Sequence, residues 1–128
     1  MTNSSLSSDR PVAPDAPRPD WLTDAAWPFP RHVLEAGGGA PAVSYTDVGQ
    51  GPVLLLVNVG MWSIVWRDVI GRLMTRFRCV TLDVPGTGSS PASAAKPTLA
   101  GAAEAIDGVV RALDLTDIGL VVHDLGAP

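Results

Sequence analysis

The chain has 128 residues, 46% of them apolar, a net charge of −4 and one cysteine. That length fits one domain with a real core and leaves no room for two. The charge balance, without a basic stripe laced with aromatics, argues against nucleic acid. The lone Cys79 cannot close an internal disulfide, and no run approaches the ~18 apolar residues of a membrane span.

Residues 1–20, MTNSSLSSDRPVAPDAPRPD, are rich in Ser, Pro and Asp and have almost nothing to bury. They read as a disordered leader before one domain over 21–128. The opening MTNSSLSSDR has neither the basic start nor the apolar stretch of a signal peptide, so a cytoplasmic location is expected. WLTDAAWPFPRH carries Trp21, Trp27 and Phe29 and reads as a clamp across the body, its prolines opposing a long helix.

RHVLEA and PAVSYTDV, joined through GGGA, predict a hairpin. PVLLLV has the unbroken apolar character of a strand buried on both faces. In WSIVWRDVIGRLMTRF, residues Trp66, Val69, Ile70, Leu73, Met74 and Phe77 recur at three- and four-residue steps, which predicts an amphipathic helix. Its Trp and Met residues, Trp62 apart, read as core packing. RCVTLDV is the next strand, with Cys79 as a small buried hydrophobe, and PGTGSS is the turn that closes it. TLAGAAEAIDGVVRALDL predicts a second helix with Leu99, Ala103, Ile106, Val110 and Leu113 on its packed face. Gly101 and Gly108 weaken that helix by ~1 kcal/mol each against Ala, or mark close packing on the sheet. IGLVVH is the last strand. The alternation of strand and helix predicts an α/β fold with parallel strands and right-handed crossovers.

Chemistry in such sheets gathers at the carboxyl ends of the strands. Three ends are in view: Asn58-Val59-Gly60, Asp83-Val84-Pro85-Gly86 and Asp124-Leu125-Gly126. The third follows an apolar strand in the pattern Val122-His123-Asp124-Leu125-Gly126, close to the small-x-nucleophile-x-small form of a nucleophile elbow. Two readings of Asp124 stay open on spacing alone. It could cap a following helix, or it could be a carboxylate nucleophile, ionised at neutral pH without help from a base. A carboxylate suits displacement at a saturated carbon, giving an alkyl ester whose hydrolysis needs an activated water and backbone donors for the developing oxyanion. His123 is expected to face away from Asp124 along the strand, as a supporting or core residue. NVGMWS and PGTGSS lack the glycines and the lysine of a nucleotide loop. No His/Cys/Asp cluster has metal-ligand spacing, and no cofactor is expected.

Taken together, four segments resemble the haloalkane dehalogenase and epoxide hydrolase branch of the α/β-hydrolase fold. SYTDVGQGPVLLLV is similar to that family's second and third strands, and WSIVWRDVIGRL to its W-S-F-L-W-R-x-x-I-x-x-L helix. RCVTLDVPGTGSS resembles its R-x-x-x-x-D-x-P-G-x-G-x-S segment, and VVHDLGAP its V-x-H-D-W-G-x-P elbow. The resemblance runs from about Trp21 to Pro128 and implies the N-terminal half of the fold, cut at the elbow. It implies Asp124 as the nucleophile and the backbone N–H groups of Leu125 and Val59 as oxyanion donors.

Two positions depart from the family pattern. NVGMWS replaces H-G-N-P-T-W-S and is one residue shorter, placing Val59 where many dehalogenases have a halide-binding Asn, with Asn58 the nearest stand-in for the His-Gly pair. Leu125 stands where they have a halide-holding Trp. A backbone N–H survives that exchange and an indole N–H does not, so epoxide hydrolysis is the alternative. The resemblance also implies a cap, further strands, an acid and a water-activating His, none of which these residues supply. The expectation is therefore a fragment, inactive alone, of a hydrolase acting on a small molecule. The rival expectation is a non-enzymatic half-fold that binds a partner chain or a second copy through its uncovered sheet edge.

Overall fold

The computed structural model describes residues 18–35, 41–59, 61–91 and 98–124. Five strands form one mixed sheet: β1 (His32–Leu34), β2 (Val43–Val48), β3 (Val53–Val59), β4 (Arg78–Asp83) and β5 (Gly119–Asp124). Their spatial order is β1-β2-β4-β3-β5. β1 and β2 form the predicted antiparallel hairpin, with His32 opposite Tyr45; its GGGA connection lies outside the described residues. β2 runs antiparallel to β4, and β3 runs parallel to both β4 and β5. This is the α/β-hydrolase arrangement expected from the sequence, a short antiparallel start feeding parallel strands.

The LLLV run of β3 shows why both faces of the sheet are covered. Leu55 and Val57 point to one side, where Tyr45, Val80, Leu82, Val109 and Leu113 complete a core. Leu56 points to the other, against Trp27, Phe29, Trp66, Ile70 and Cys79. The strand period of two thus sends alternate apolar side chains into two separate cores. Burying a side chain such as Leu56 contributes roughly 1.5–3 kcal/mol relative to leaving it exposed.

The first core is roofed by α2 (Leu99–Ala112), the second by a 3₁₀ turn (Ser63–Trp66) that runs into α1 (Arg67–Leu73). α1 is shorter than the apolar spacing predicts. The chain turns at Met74–Phe77 because the β2–β3 connection passes directly beneath. A Cβ on Gly49 (φ +86°) would lie 2.2 Å from the Phe77 carbonyl oxygen, so only glycine fits there. Val69, counted in the packed face, is 37% exposed.

α2 begins at Thr98, whose Oγ1 accepts from the Gly101 N–H at 2.9 Å, an ordinary N-cap. Its packed face differs from the expected one. Leu99 is 68% exposed and Ala103 is also exposed, while Ala102 and Val109 are buried, flanked by Ala105, Ile106 and Val110. The buried stripe thus runs one residue ahead of the expected one, through Ala102 and Val109 instead of Ala103 and Val110. Close approach does not explain Gly108, since a Cβ there would meet only a Leu34 methyl at 3.9 Å.

The aromatic clamp is present. Leu22, Trp27 and Phe29 are buried, and the Trp27 indole donates to Thr46 Oγ1 at 3.1 Å. Trp21 is the exception: it is 58% exposed and meets Trp62 edge-on, with ring centroids 5.4 Å apart. Residues 1–17 of the expected leader lie outside the described residues. Arg18 is tied to the body, donating to the Trp27 and Phe29 carbonyls at 2.6 Å each. Among the described residues no helix is long and apolar enough to cross a membrane.

Candidate active site

The parallel strands deliver the three sequence-predicted ends to one edge of the sheet. β3 and β5 pair in register so that Asn58 lies opposite His123 and Val59 opposite Asp124. Asp124 is thus the last residue of β5, beside the last residue of β3, where an elbow on this fold belongs. Of the two expected oxyanion donors, the structure places Val59 next to Asp124, while Leu125 lies outside the described residues.

The neighbouring polar groups are sparse. The Asn58 side chain is buried, and its Oδ1 accepts from the Trp66 indole N–H at 3.0 Å. Its Nδ2 has no hydrogen-bond partner among the described residues, an uncommon state for a buried amide. His123, expected as a supporting or core residue, is exposed and meets the edge of Trp66 with centroids 6.2 Å apart. Among the described residues β5 pairs with β3 alone.

The end of β4 holds a residue whose role sequence reasoning passed over. Asp83, at the end of β4, is only 2% exposed. Its Oδ1 accepts from the Ser63 backbone N–H at 2.7 Å. Its Oδ2 accepts from the Ser89 N–H at 2.8 Å and the Ser89 hydroxyl at 3.0 Å. Its carbonyl oxygen accepts from the Ser90 hydroxyl. Ser90 Oγ accepts in turn from the Ser44 N–H, and the Ser44 and Ser89 hydroxyls lie 2.8 Å apart. Arg31 donates to the Ser89 carbonyl. Burial lowers the pKa of its guanidinium, and the Asp83 charge opposes that shift. Gly88 (φ +49°) makes the fold of this turn feasible, because a Cβ there would lie 2.5 Å from Asp83 Oδ2 and 2.6 Å from the Trp62 Cβ. The signal in the sequence was an Asp at a strand end followed within seven residues by two glycines and two serines, a segment able to fold back and donate.

Cys79 is fully buried, as expected, and burial raises its thiol pKa. Among the described residues no three His, Cys, Asp or Glu side chains converge as a metal site.

A family model described as the alpha/beta hydrolase fold matches residues 51–128. The chain belongs to the α/β-hydrolase fold family. Within it, the chain is 38% identical to haloalkane dehalogenase 2 of Mycobacterium tuberculosis over 65 residues, covering 50% of this chain and 22% of that protein. It is 30% identical over 110 residues to a cis-3-alkyl-4-alkyloxetan-2-one decarboxylase of Shewanella oneidensis, covering 82% of this chain and 34% of that one. A haloalkane dehalogenase from Paraglaciecola agarilytica superposes with a TM-score of 0.72 at 22% identity, over 88% of this chain and 42% of that one. An epoxide hydrolase from Vigna radiata does so with a TM-score of 0.67 at 25% identity, over 77% and 33%. The chain spans between about a fifth and two fifths of the length of these similar proteins.

Proposed function

We propose that this sequence carries the nucleophile half of a hydrolase in which Asp124 attacks an electrophilic carbon of a small organic substrate. The observation that carries the reading is the register of β3 and β5, which sets Asp124 beside Val59 at the carboxyl edge of the sheet. The similar proteins named for their substrates support it. A haloalkane, an epoxide and an oxetan-2-one all present a carbon bonded to a departing or strained heteroatom. An ionised carboxylate is a competent nucleophile for such a carbon.

In the first step an Asp124 carboxylate oxygen bonds to the substrate carbon as the carbon–halogen or carbon–oxygen bond breaks. The bonding pair leaves with the halide, or with the ring oxygen, which then takes a proton. In the second step water adds to the carboxyl carbon of the ester as it gives up a proton to the water-activating base that the family resemblance implies. The resulting tetrahedral oxyanion is held by the backbone N–H groups of Val59 and Leu125. Its collapse expels the alkoxide, which takes that proton back from the base and leaves as the alcohol, and the Asp124 carboxyl releases its own proton to solvent. The reaction is assigned to the full-length protein, since the chain spans under half of its relatives.

Epoxide opening is the second reading, favoured by Leu125. A leucine offers no indole N–H to a departing halide, whereas an epoxide oxygen stays attached to the substrate and takes a proton instead.

The test is covalent trapping in the full-length protein. Brief exposure to 1-bromohexane or styrene oxide, followed by acid quench and peptide mass analysis, is expected to find the alkyl group on Asp124. Asp124→Asn is expected to abolish the adduct. An unlabelled Asp124 with both probes overturns the reading.

A further inference from the structure

We propose that Asp83 is a positioning residue for the oxyanion site, acting at a distance by pinning the far end of the loop that leaves β3. The inference rests on the assignment of Asp124 as nucleophile and Val59 as an oxyanion donor, and extends it to a residue outside the reacting pair.

β3 ends at Val59, and the chain is re-anchored at Ser63, four positions on, where the 3₁₀ turn starts. Whatever fixes Ser63 limits the conformations open to the Val59 end of so short a span. Ser63 is held by one side chain, through its backbone N–H at 2.7 Å to Asp83 Oδ1. The opposite oxygen of the same carboxylate is clamped by two donors from Ser89. Asp83 therefore bridges the connection after β3 to the turn after β4, and it cannot swing without breaking three hydrogen bonds. A hydrogen bond to an ionised carboxylate is about twice as strong as a neutral one. At 2% exposure little water competes for it. The Arg31 guanidinium supplies the compensating charge and is itself fixed on the Ser89 carbonyl. Gly88 allows the approach, since any side chain there would drive Asp83 and Trp62 apart.

The chemical consequence differs between the two steps. Displacement on the substrate carbon disperses the Asp124 charge and makes no call on oxyanion donors. Addition of water to the ester carbon creates an oxyanion and depends on them. A residue that only stabilises the fold would move both steps together. A residue that aims the Val59 N–H would slow the second and leave the first.

Asp83→Asn keeps the side-chain volume and the Oδ1 acceptor while replacing the second oxygen by a donor that opposes the Ser89 N–H. Ser63→Pro keeps Asp83 and removes only the donor. Proline suits the first helical position, and Trp62, at φ −126° and ψ 169°, already holds the extended conformation that a following proline demands.

The experiment is rapid mixing of the full-length protein with 1-bromohexane, following bromide release and the Asp124 alkyl-ester by peptide mass. In either variant the ester lifetime is expected to lengthen about tenfold or more, short of the 10²–10³ lost when a donor is deleted outright, with the bromide burst changed less than about threefold. Equal slowing of both steps, or no change in either, overturns the proposal while leaving the nucleophile assignment standing. Absence of any ester in the wild-type protein instead overturns that assignment, and the role of Asp83 falls with it.

Discussion

The ends of β4 and β5 lie two strands apart at the same edge of the sheet and are built on opposite plans. At β4, every oxygen of the terminal aspartate is engaged: three hydrogen bonds reach the Asp83 carboxylate and a fourth its carbonyl. At β3 and β5, polar capacity is left over: Asn58 Nδ2 has no partner among the described residues and His123 is exposed. Two aspartates that look alike in sequence each close an apolar strand, and the proposal gives them different work. A carboxylate saturated with donors and buried at 2% makes a good anchor and a poor nucleophile.

The sharpest way to break that contrast is Asp83→Ala. It strands the Ser63 and Ser89 donors and leaves Arg31 without its nearby negative charge. Removing one member of a buried charged network costs about 3–5 kcal/mol, readable as a lower urea midpoint at unchanged slope. A loss under about 1 kcal/mol would mean that the hydrogen bonds are incidental. Next comes Leu56→Ala in the core beneath both strand ends, with an expected loss of about 2–5 kcal/mol. Because Leu56 is fully buried between α1 and the aromatic clamp, its loss is also expected to quicken reaction of Cys79 with a thiol reagent.

Asn58→Leu should cost only about 1 kcal/mol, the net worth of the hydrogen bond from Trp66. If Asn58→Leu destabilised as strongly as Asp83→Ala, the contrast between the two ends would be lost. The smallest effect is expected at Gly108→Ala. A Cβ fits there without clash, so helix propensity should dominate and raise stability by up to about 1 kcal/mol, seen as a higher Tm. A lower Tm would place α2 closer to β1 than its contacts indicate.

Much of the framework was legible in the sequence because the period of side chains decided it. LLLV is apolar throughout and CVTLDV mostly so, and both became central strands; the hairpin strands and both helices fall within the predicted segments, although α1 is shorter than its spacing predicts. What was missed depended on geometry that periodicity does not carry. The packed face of α2 lies one residue from the expected one, with Ala102 and Val109 buried and Leu99 exposed. Trp21 and Trp27 are equally apolar on paper, yet only Trp27 finds Thr46 for its indole N–H. The role of Asp83 depends on backbone donors 20 and 6 residues away, and nothing local to RCVTLDV distinguishes an anchored carboxylate from an available one. Asp124 was legible in position, since the register of β5 against β3 sets it where the strand-end pattern predicted.

The most direct test of Asp124 as nucleophile is a single turnover of the full-length protein in water enriched with ¹⁸O, enzyme in excess over 1-bromohexane. Hydrolysis through an Asp124 ester predicts that the heavy oxygen enters the aspartate carboxylate, while the first molecule of hexanol carries the light oxygen that Asp124 held before. Heavy oxygen in that first hexanol, with none in the Asp124 peptide, would mean that water attacks the substrate directly and would contradict the account.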